Sequence, residues 1–437
     1  MKVPTYIINL KSRIDRREHI LQQFSGRDEF EISIVDAHVH EFGNIGLWNT
    51  IRHIVSDLTS QNDEIIIICE DDHLFTKNYS ANILESAIAY AKGLNADVLS
   101  GGVSWHVDSV QISETLFWIK KFSGTQFLVV FRKFFDCILN ASFTEHDTAD
   151  YKMSSLSDNI YCIYPFISVQ KEFGYSDATQ MNNGTARVEN LFISSAVNAK
   201  LYSSVRSFYS KLGRGQRKLD DDVFEDVTIP TYVFSHFYEK SRMLENIGNQ
   251  FGDKPEFTTT IIEGSRFKGD TGNPLHNFKY VVRDSFDKGE DVIILCDDKH
   301  RFTSFYSRDF LLESIFQAHL RGCDILSGGA CGFNHAVQIT ENLFWIDTLV
   351  LSEFIIIFKK IFLKILSKTS DSFQSIEHFV SGLTPHKMVL HPFISLPIHI
   401  EASSSGDNGE TIKFNLGELY EFASNRLLGH SKIFRNG

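Results

Sequence analysis

The chain is short of paired cysteines, of membrane-length apolar runs and of positive charge. Its six cysteines, Cys69, Cys137, Cys162, Cys296, Cys323 and Cys331, form no CxxC pair, and Cys69 and Cys296 fall inside apolar runs. That pattern argues against a disulfide scaffold or a zinc-ribbon site and favours buried free thiols. No stretch reaches the roughly 18 consecutive apolar residues of a membrane span. The opening MKVPTYIINLKSRIDRRE has too short an apolar run for a signal peptide. A cytoplasmic protein is the expectation. A net charge of −12 argues against a general nucleic-acid binder, so no nucleic-acid partner is expected. What the chain does have in excess is phenylalanine, at 38 residues.

It also has an internal repeat. Residues 65–75 read IIIICEDDHLF and residues 292–302 read VIILCDDKHRF, with Glu70 answering Asp297 at an offset of 227. Ser100-Gly101-Gly102 recurs as Ser327-Gly328-Gly329, Leu116-Phe117-Trp118-Ile119 as Leu343-Phe344-Trp345-Ile346, and Pro165-Phe166-Ile167-Ser168 as Pro392-Phe393-Ile394-Ser395, all at that offset. Near the start, Val3-Pro4-Thr5-Tyr6 is answered by Ile229-Pro230-Thr231-Tyr232. A tandem duplication follows, with domains expected at 1–226 and 227–437, each long enough to bury a core.

Apolar, β-branched runs at Val3–Leu10, Glu31–Val35, Glu64–Cys69, Asp97–Ser100 and Phe127–Phe131 predict strands. Helical spacing predicts helices at Asp15–Phe24, Trp48–Leu58, Tyr79–Gly93 and Arg132–Asn140. Alternating strands and helices imply an α/β fold with mostly parallel central sheets. Asn190–Asp226 reads as helix and then a basic loop, Ser403–Gly406 as loop, and Glu418–Leu428 as a final helix.

Four groups of residues carry chemistry. Glu70-Asp71-Asp72 follows a buried strand at its carboxyl end, where ligands bind in parallel α/β sheets. Three adjacent carboxylates repel one another, and Mn²⁺ or Mg²⁺ would relieve this while holding a diphosphate. The plainer alternative is a helix cap or a solvated loop. Arg13, Arg16 and Arg17 follow the first strand and either grip phosphate or line an exposed helix face. Asp150 in Thr148-Ala149-Asp150-Tyr151 is a candidate proton acceptor, with Glu145 and Asp147 as rivals. Gln170, Ser176 and Asp177 follow Tyr164-Pro165-Phe166-Ile167-Ser168-Val169 and either orient a ligand or cap loops.

In this order the pieces resemble the family 25 glycosyltransferases of lipopolysaccharide and other glycan synthesis. The resemblance covers residues 3–180 and, in degraded form, 229–400. It implies two tandem GT-A-like, Rossmann-like nucleotide-sugar-binding domains and inverting sugar transfer from a nucleotide-diphosphate sugar, a UDP-sugar in the first instance, to a glycan acceptor. A lipid-linked acceptor would bring the protein to the inner face of the membrane. Asp72 would be the metal ligand, Glu70 and Asp71 would sit against ribose or sugar, Arg13 and Arg17 near the nucleotide, and Asp150 would be the catalytic base. Gln170 and Asp177 complete the substrate-binding set. Gly43-Asn44-Ile45-Gly46 departs from the Gly-Cys-x-x-Ser-His-like segment expected before the third strand.

The second copy loses much of this set. Asp72 is answered by Lys299, Asp150 by Glu377, Gly124 by Leu351 and Gln170 by Pro397, while His73 and His300, and Trp118 and Trp345, persist. The expectation is a catalytic first copy and a degenerate second. A second transferase in which Lys299 replaces the metal charge is the alternative. Leu351–Leu366 reads as a buried strand and packed helix or, less economically, as a membrane-surface helix. A non-catalytic nucleotide- or glycan-binding protein, built from two decayed transferase domains, is the competing function.

Overall fold

The computed structural model describes residues 2–174, 186–212, 224–235, 240–263, 274–369, 375–398, 401–405 and 411–436. It divides into two compact units, Met1–Ser203 with Ile433–Gly437, and Ser204–Lys432. The division therefore lies ahead of the 226 read from the sequence, because one long helix, Arg187–Leu212, runs across it.

Unit 1 begins with β1 (Val3–Asn9), α1 (Ile14–Phe24), β2 (Phe30–Asp36), α2 (Gly43–His53), β3 (Ile65–Glu70), β4 (His73–Phe75), α3 (Ala81–Gly93) and β5 (Val98–Ser100). Then come β6 (Trp105–His106), β7 (Ser109–Ser113), β8 (Leu116–Ile119), β9 (Phe122–Ser123), β10 (Phe127–Phe131), α4 (Phe135–Asn140), α5 (Ala149–Leu156), β11 (Ile160–Ile163), β12 (Ser168–Gln170) and α6 (Arg187–Leu212). The main sheet has the order β2-β1-β3-β10-β5-β11-β8-β7. The fold is α/β with a Rossmann-like βαβ start, since β1 pairs in parallel with both β2 and β3. The sheet is mixed, because β10 enters antiparallel between β3 and β5, and β8 lies antiparallel to β11 and β7.

Strand β3 is buried from Ile65 to Cys69 because it is central and covered on both faces, which explains its unbroken apolar run. Helix α2 starts ahead of the expected Trp48 and passes into a π-helical turn at Ile54–Leu58. Ser80 caps α3 by accepting from the Ile83 amide, as Ser307 caps its counterpart in unit 2 from Phe310.

Unit 2 repeats the plan through β13 (Ile229–Ser235), α7 (Lys240–Phe251), β14 (Phe257–Glu263), α8 (Pro274–Lys288), β15 (Val292–Asp297), β16 (His300–Phe302), α9 (Arg308–Leu320) and β17 (Ile325–Ser327). It continues with β18 (Ala336–Gln338), β19 (Leu343–Ile346), β20 (Phe354–Phe358), α10 (Phe362–Ser367), α11 (Ile376–Leu383), β21 (Lys387–Leu390) and β22 (Ser395–Pro397). Its sheet order, β14-β13-β15-β20-β17-β21-β19-β18, matches that of unit 1 strand for strand. Ser403–Ser405, read as loop from the sequence, belongs to β23 (Glu401–Ser405), which pairs with β24 (Thr411–Asn415) ahead of α12 (Leu416–Asn436). The Leu351–Leu366 segment forms the fully buried β20 and then α10, so it is not a membrane-surface helix. Among the described residues no helix is long and apolar enough to cross a membrane.

The persistent residues are structural. Phe24, Phe30, His73, Phe75 and Phe127 form one aromatic cluster, and Phe251, Phe257, His300, Phe302 and Phe354 form its copy. His73 Nδ1 and Ser168 Oγ are 2.8 Å apart, and so are His300 Nδ1 and Ser395 Oγ. Burial lowers both imidazoles to about 3, so they remain neutral members of the core. Trp118 and Trp345 each donate Nε1 to a backbone carbonyl at 2.6 Å, of Asp158 and Pro385 respectively. The paired glycines recur for packing: a Cβ on Gly102 would lie 2.2 Å from the Ser168 carbonyl oxygen, and one on Gly329 would lie 2.4 Å from that of Ser395.

Candidate active site

The site is built at the carboxyl end of β3. Chain direction carries Glu70, Asp71 and Asp72 out of the sheet beside the β1–α1 turn, since β1 and β3 are parallel neighbours. Asp71 is only 3% exposed. Asn9, the last residue of β1, donates Nδ2 to Asp71 Oδ2 at 2.9 Å. Arg16 donates Nη1 to Asp71 Oδ1 at 3.2 Å and to Asp72 Oδ2 at 3.4 Å. Arg13 approaches Asp71 Oδ1 at 3.9 Å.

Arg16 is the charged partner of the acidic cluster that the resemblance did not single out. The family pattern pointed to Arg13 and Arg17, yet Arg17 lies on the exposed face of α1. The signal was present in the spacing: Arg16, Ile20 and Phe24 recur every four residues and form the inward stripe of the helix. A buried guanidinium in that stripe implies a buried carboxylate opposite it.

Glu70 turns the other way and accepts a short hydrogen bond from Thr125 Oγ1. Burial, then the neighbouring Asp72 charge, push its carboxyl up to about 8 against the opposing Thr125 bond. Asp72 is also raised by burial, with Arg16 acting to lower it. Two of the three carboxylates, Asp71 and Asp72, thus meet guanidinium groups, and the third, Glu70, holds its proton more firmly. The repulsion that seemed to demand a metal is largely answered inside the chain.

The donor set around Asp72 bears on whether a metal fits. Among the described residues no three His, Cys, Asp or Glu side chains converge as a ready-made metal site. Asp72 Oδ1, however, is buried with no hydrogen-bond partner, while Oδ2 is held by Arg16. That leaves one oriented oxygen ligand, which a substrate diphosphate and water would have to complete.

Asp150 sits in the first turn of α5 and is brought to the β9–β10 turn. Its Oδ2 accepts from the Gly124 amide at 3.0 Å, and Oδ1 accepts from Thr148 Oγ1 and the Tyr151 amide at 2.5 and 2.8 Å. Gly124 has φ +121, and a Cβ there would lie 2.7 Å from Gln126 Oε1, so the turn that presents this amide suits glycine. Gly124 donates to Asp150 and the next residue, Thr125, donates to Glu70, so the two carboxyls are held by one turn. Of its rivals, Asp147 is occupied by Lys152 at 2.9 Å and by the Thr144 amide at 2.8 Å. Asn44, in the segment that departs from the family pattern, donates to the backbone oxygens of Glu145 and Asp147 at 2.9 and 2.7 Å. It tethers the loop ahead of Asp150.

Gln170 is half-buried in β12 opposite His73 of β4, and the Lys171 amide donates to the Asp72 carbonyl at 2.8 Å. The structure thus gathers Arg13, Glu70, Asp71, Asp72 and Asp150 around the end of β3, and Gln170 lies on the adjoining strand β12. Asp177 and Ser176 lie outside the described residues.

In unit 2 this constellation is dismantled. Gln23 Oε1 accepts from the Phe75 amide at 3.2 Å and Gln250 Oε1 from the Phe302 amide at 2.7 Å, which fixes the register of α7 on α1. Arg16 is then answered by Met243, itself 2% exposed, and Asp72 by Lys299. Asn9 is answered by Ser235 through the strand pairing. Ser352 replaces Thr125 and bonds Ser327 Oγ at 2.8 Å. Asp298 stays buried at 1% exposure.

No family model matches the chain, and no curated protein matches it in sequence. Among solved structures, apo UDP-glucose pyrophosphorylase aligns at 10% identity over 46% of this chain and 82% of that one, with a TM-score of 0.28. A197 from STIV aligns at 10% identity over 43% of this chain and 95% of that one, also at 0.28. Likeness at this level carries no functional weight, and the resemblance to family 25 rests on the ordered motifs alone.

Proposed function

We propose that unit 1 binds a nucleotide-diphosphate sugar, a UDP-sugar in the first instance, and transfers the sugar with inversion to a glycan hydroxyl. The observation that carries this reading is the unmatched Oδ1 of Asp72, buried at the carboxyl end of β3 while its partner oxygen is fixed by Arg16. A buried polar atom left unpaired costs stability, and its retention suits a group that arrives with the ligand.

In this mechanism Arg16 and Asn9 hold Asp71 rigid, so that Asp72 presents one oxygen outward. Mn²⁺ or Mg²⁺ on that oxygen would neutralise the departing diphosphate. Arg13, at the rim of the cluster, faces the nucleotide, and Glu70 and Gln170 face the sugar. Asp150 takes the proton from the acceptor hydroxyl as its oxygen bonds to the anomeric carbon, and the bond from that carbon to the diphosphate oxygen breaks on the opposite side. Gly124 and Thr148 hold the Asp150 carboxylate in place for this.

The internal neutralisation of Asp71 and Asp72 by Arg16 favours a second reading, a nucleotide- or glycan-binding protein without turnover. Thermal stabilisation by UDP, with and without Mn²⁺, together with a hydrolysis screen over nucleotide sugars, separates the two. The transferase reading expects Mn²⁺-dependent stabilisation, donor hydrolysis, and loss of both in a folded Asp72→Asn variant. UDP binding with no hydrolysis of any nucleotide sugar selects the second reading, and no UDP binding at all overturns both nucleotide-based forms.

A further inference from the structure

Two aromatic rings stand exposed beside Asp150. Trp105 is 41% exposed and Tyr151, the residue next to Asp150, is 39% exposed. Their ring centroids are 6.0 Å apart at an interplanar angle of 52°. Trp105 is carried on β6, which pairs with β9 at Ser123, the residue before Gly124. Gly124 in turn donates to Asp150. The two rings are therefore anchored to the same turn that fixes the candidate base. Lys121 places Nζ over the Tyr151 ring at 4.0 Å, which occupies one face of that ring and leaves Trp105 as the more open platform.

Exposed large aromatics cost free energy unless something covers them in the working state. The internal repeat supplies a control for a packing role. Every aromatic of the core cluster recurs in unit 2, yet Trp105 is answered by Gly332, Tyr151 by His378 and Lys121 by Thr348. The fold is thus built twice but the exposed pair only once, in the copy that keeps Asp72 and Asp150. A structural pair would be expected to persist with the core.

We propose that Trp105 and Tyr151 form the acceptor subsite of unit 1, a stacking platform for a pyranose ring of the acceptor glycan. A pyranose offers one face of C–H groups that packs on an aromatic ring, while its hydroxyls stay wet or reach polar neighbours. Stacked on Trp105, such a ring turns an edge hydroxyl toward Asp150, the next residue along from Tyr151. The role of the pair is to position the acceptor. This assignment rests on the glycan-transfer reading for its purpose, but its test does not require turnover.

The test is binding of the full-length protein to an array of neutral oligosaccharides, with UDP-induced thermal stabilisation measured in parallel. Wild type is expected to retain a subset of the glycans. Trp105→Ala and Tyr151→Ala should weaken that retention roughly ten-fold or more, the scale of a lost stacked ring, and Trp105→Phe should restore most of it. The UDP response should be unchanged in all three. Both rings are exposed, so the variants should fold, which circular dichroism checks. Retention equal to wild type in folded Trp105→Ala, or no glycan retained by wild type, overturns the proposal. Glycan retention that depends on Trp105 but comes without any UDP response leaves this subsite standing and removes the nucleotide-sugar reading instead.

Discussion

Replacing Arg16 with methionine, the residue that unit 2 carries in its place, tests the electrostatic core of the site. Arg16 is 5% exposed and serves two carboxylates, Asp71 at 3.2 Å and Asp72 at 3.4 Å. Removing one partner of a buried pair leaves an uncompensated charge, and the cost is about 3–5 kcal/mol. The loss should depend on pH. Burial already raises the Asp72 carboxyl and Arg16 opposes it, so without the guanidinium Asp72 holds its proton still more tightly in the folded state than in the unfolded chain. Stability is then full below the unfolded carboxylate pKa and falls as pH rises through the raised folded value. Arg16→Met should therefore be only mildly destabilised near pH 4.5 and strongly destabilised at pH 8. Urea unfolding followed by tryptophan fluorescence suits the question, because Trp48, Trp105 and Trp118 belong to unit 1 and only Trp345 to unit 2. Adding Asp72→Lys, which completes the unit 2 pairing of Met243 with Lys299, should recover a substantial part of the loss. A single variant that loses less than about 1 kcal/mol at pH 8, or a loss that does not change between pH 4.5 and 8, would refute the account of Arg16 as the internal counter-charge.

Three further outcomes follow from the geometry. Asp150→Asn should lower kcat about 10²–10⁴-fold with little change in donor KM, since a base acts in the transition state; intact turnover, with Glu145→Gln inactive instead, would move the role to the neighbouring acid. Glu70→Gln should raise stability at pH 9 relative to wild type and change little at pH 4, because the raised Glu70 carboxyl contributes stability that disappears as pH climbs through about 8; parallel pH–stability curves for the two proteins would count against it. Asp298→Asn should leave sugar transfer nearly unchanged while Asp71→Asn impairs it, and a distinct activity lost with Asp298→Asn would make unit 2 a second transferase.

Residue pattern alone determined the duplication, the α/β class and the position of the acidic cluster. Apolar runs such as Ile65–Cys69 report burial on both faces whatever surrounds them, and matched spacing between copies needs no coordinates. The sequence also separated what recurs, His73, Trp118 and the paired glycines, from what does not, Asp72 and Asp150. Tertiary structure decided the rest. The antiparallel entry of β10 between β3 and β5 depends on long-range pairing that no local period encodes. The Ser403–Ser405 stretch forms a strand because β24 lies beside it, against the loop-forming tendency of serine. Above all, the charge balance of the site is a property of the fold. In sequence, Glu70, Asp71 and Asp72 are three adjacent negative charges awaiting a cation. In space, the parallel pairing of β1 with β3 brings Asn9, Arg13 and Arg16 onto Asp71 and Asp72, and the helical period selects Arg16 over Arg17. Which charges neighbour one another is set by strand order and helix rotation, and only the folded chain fixes both.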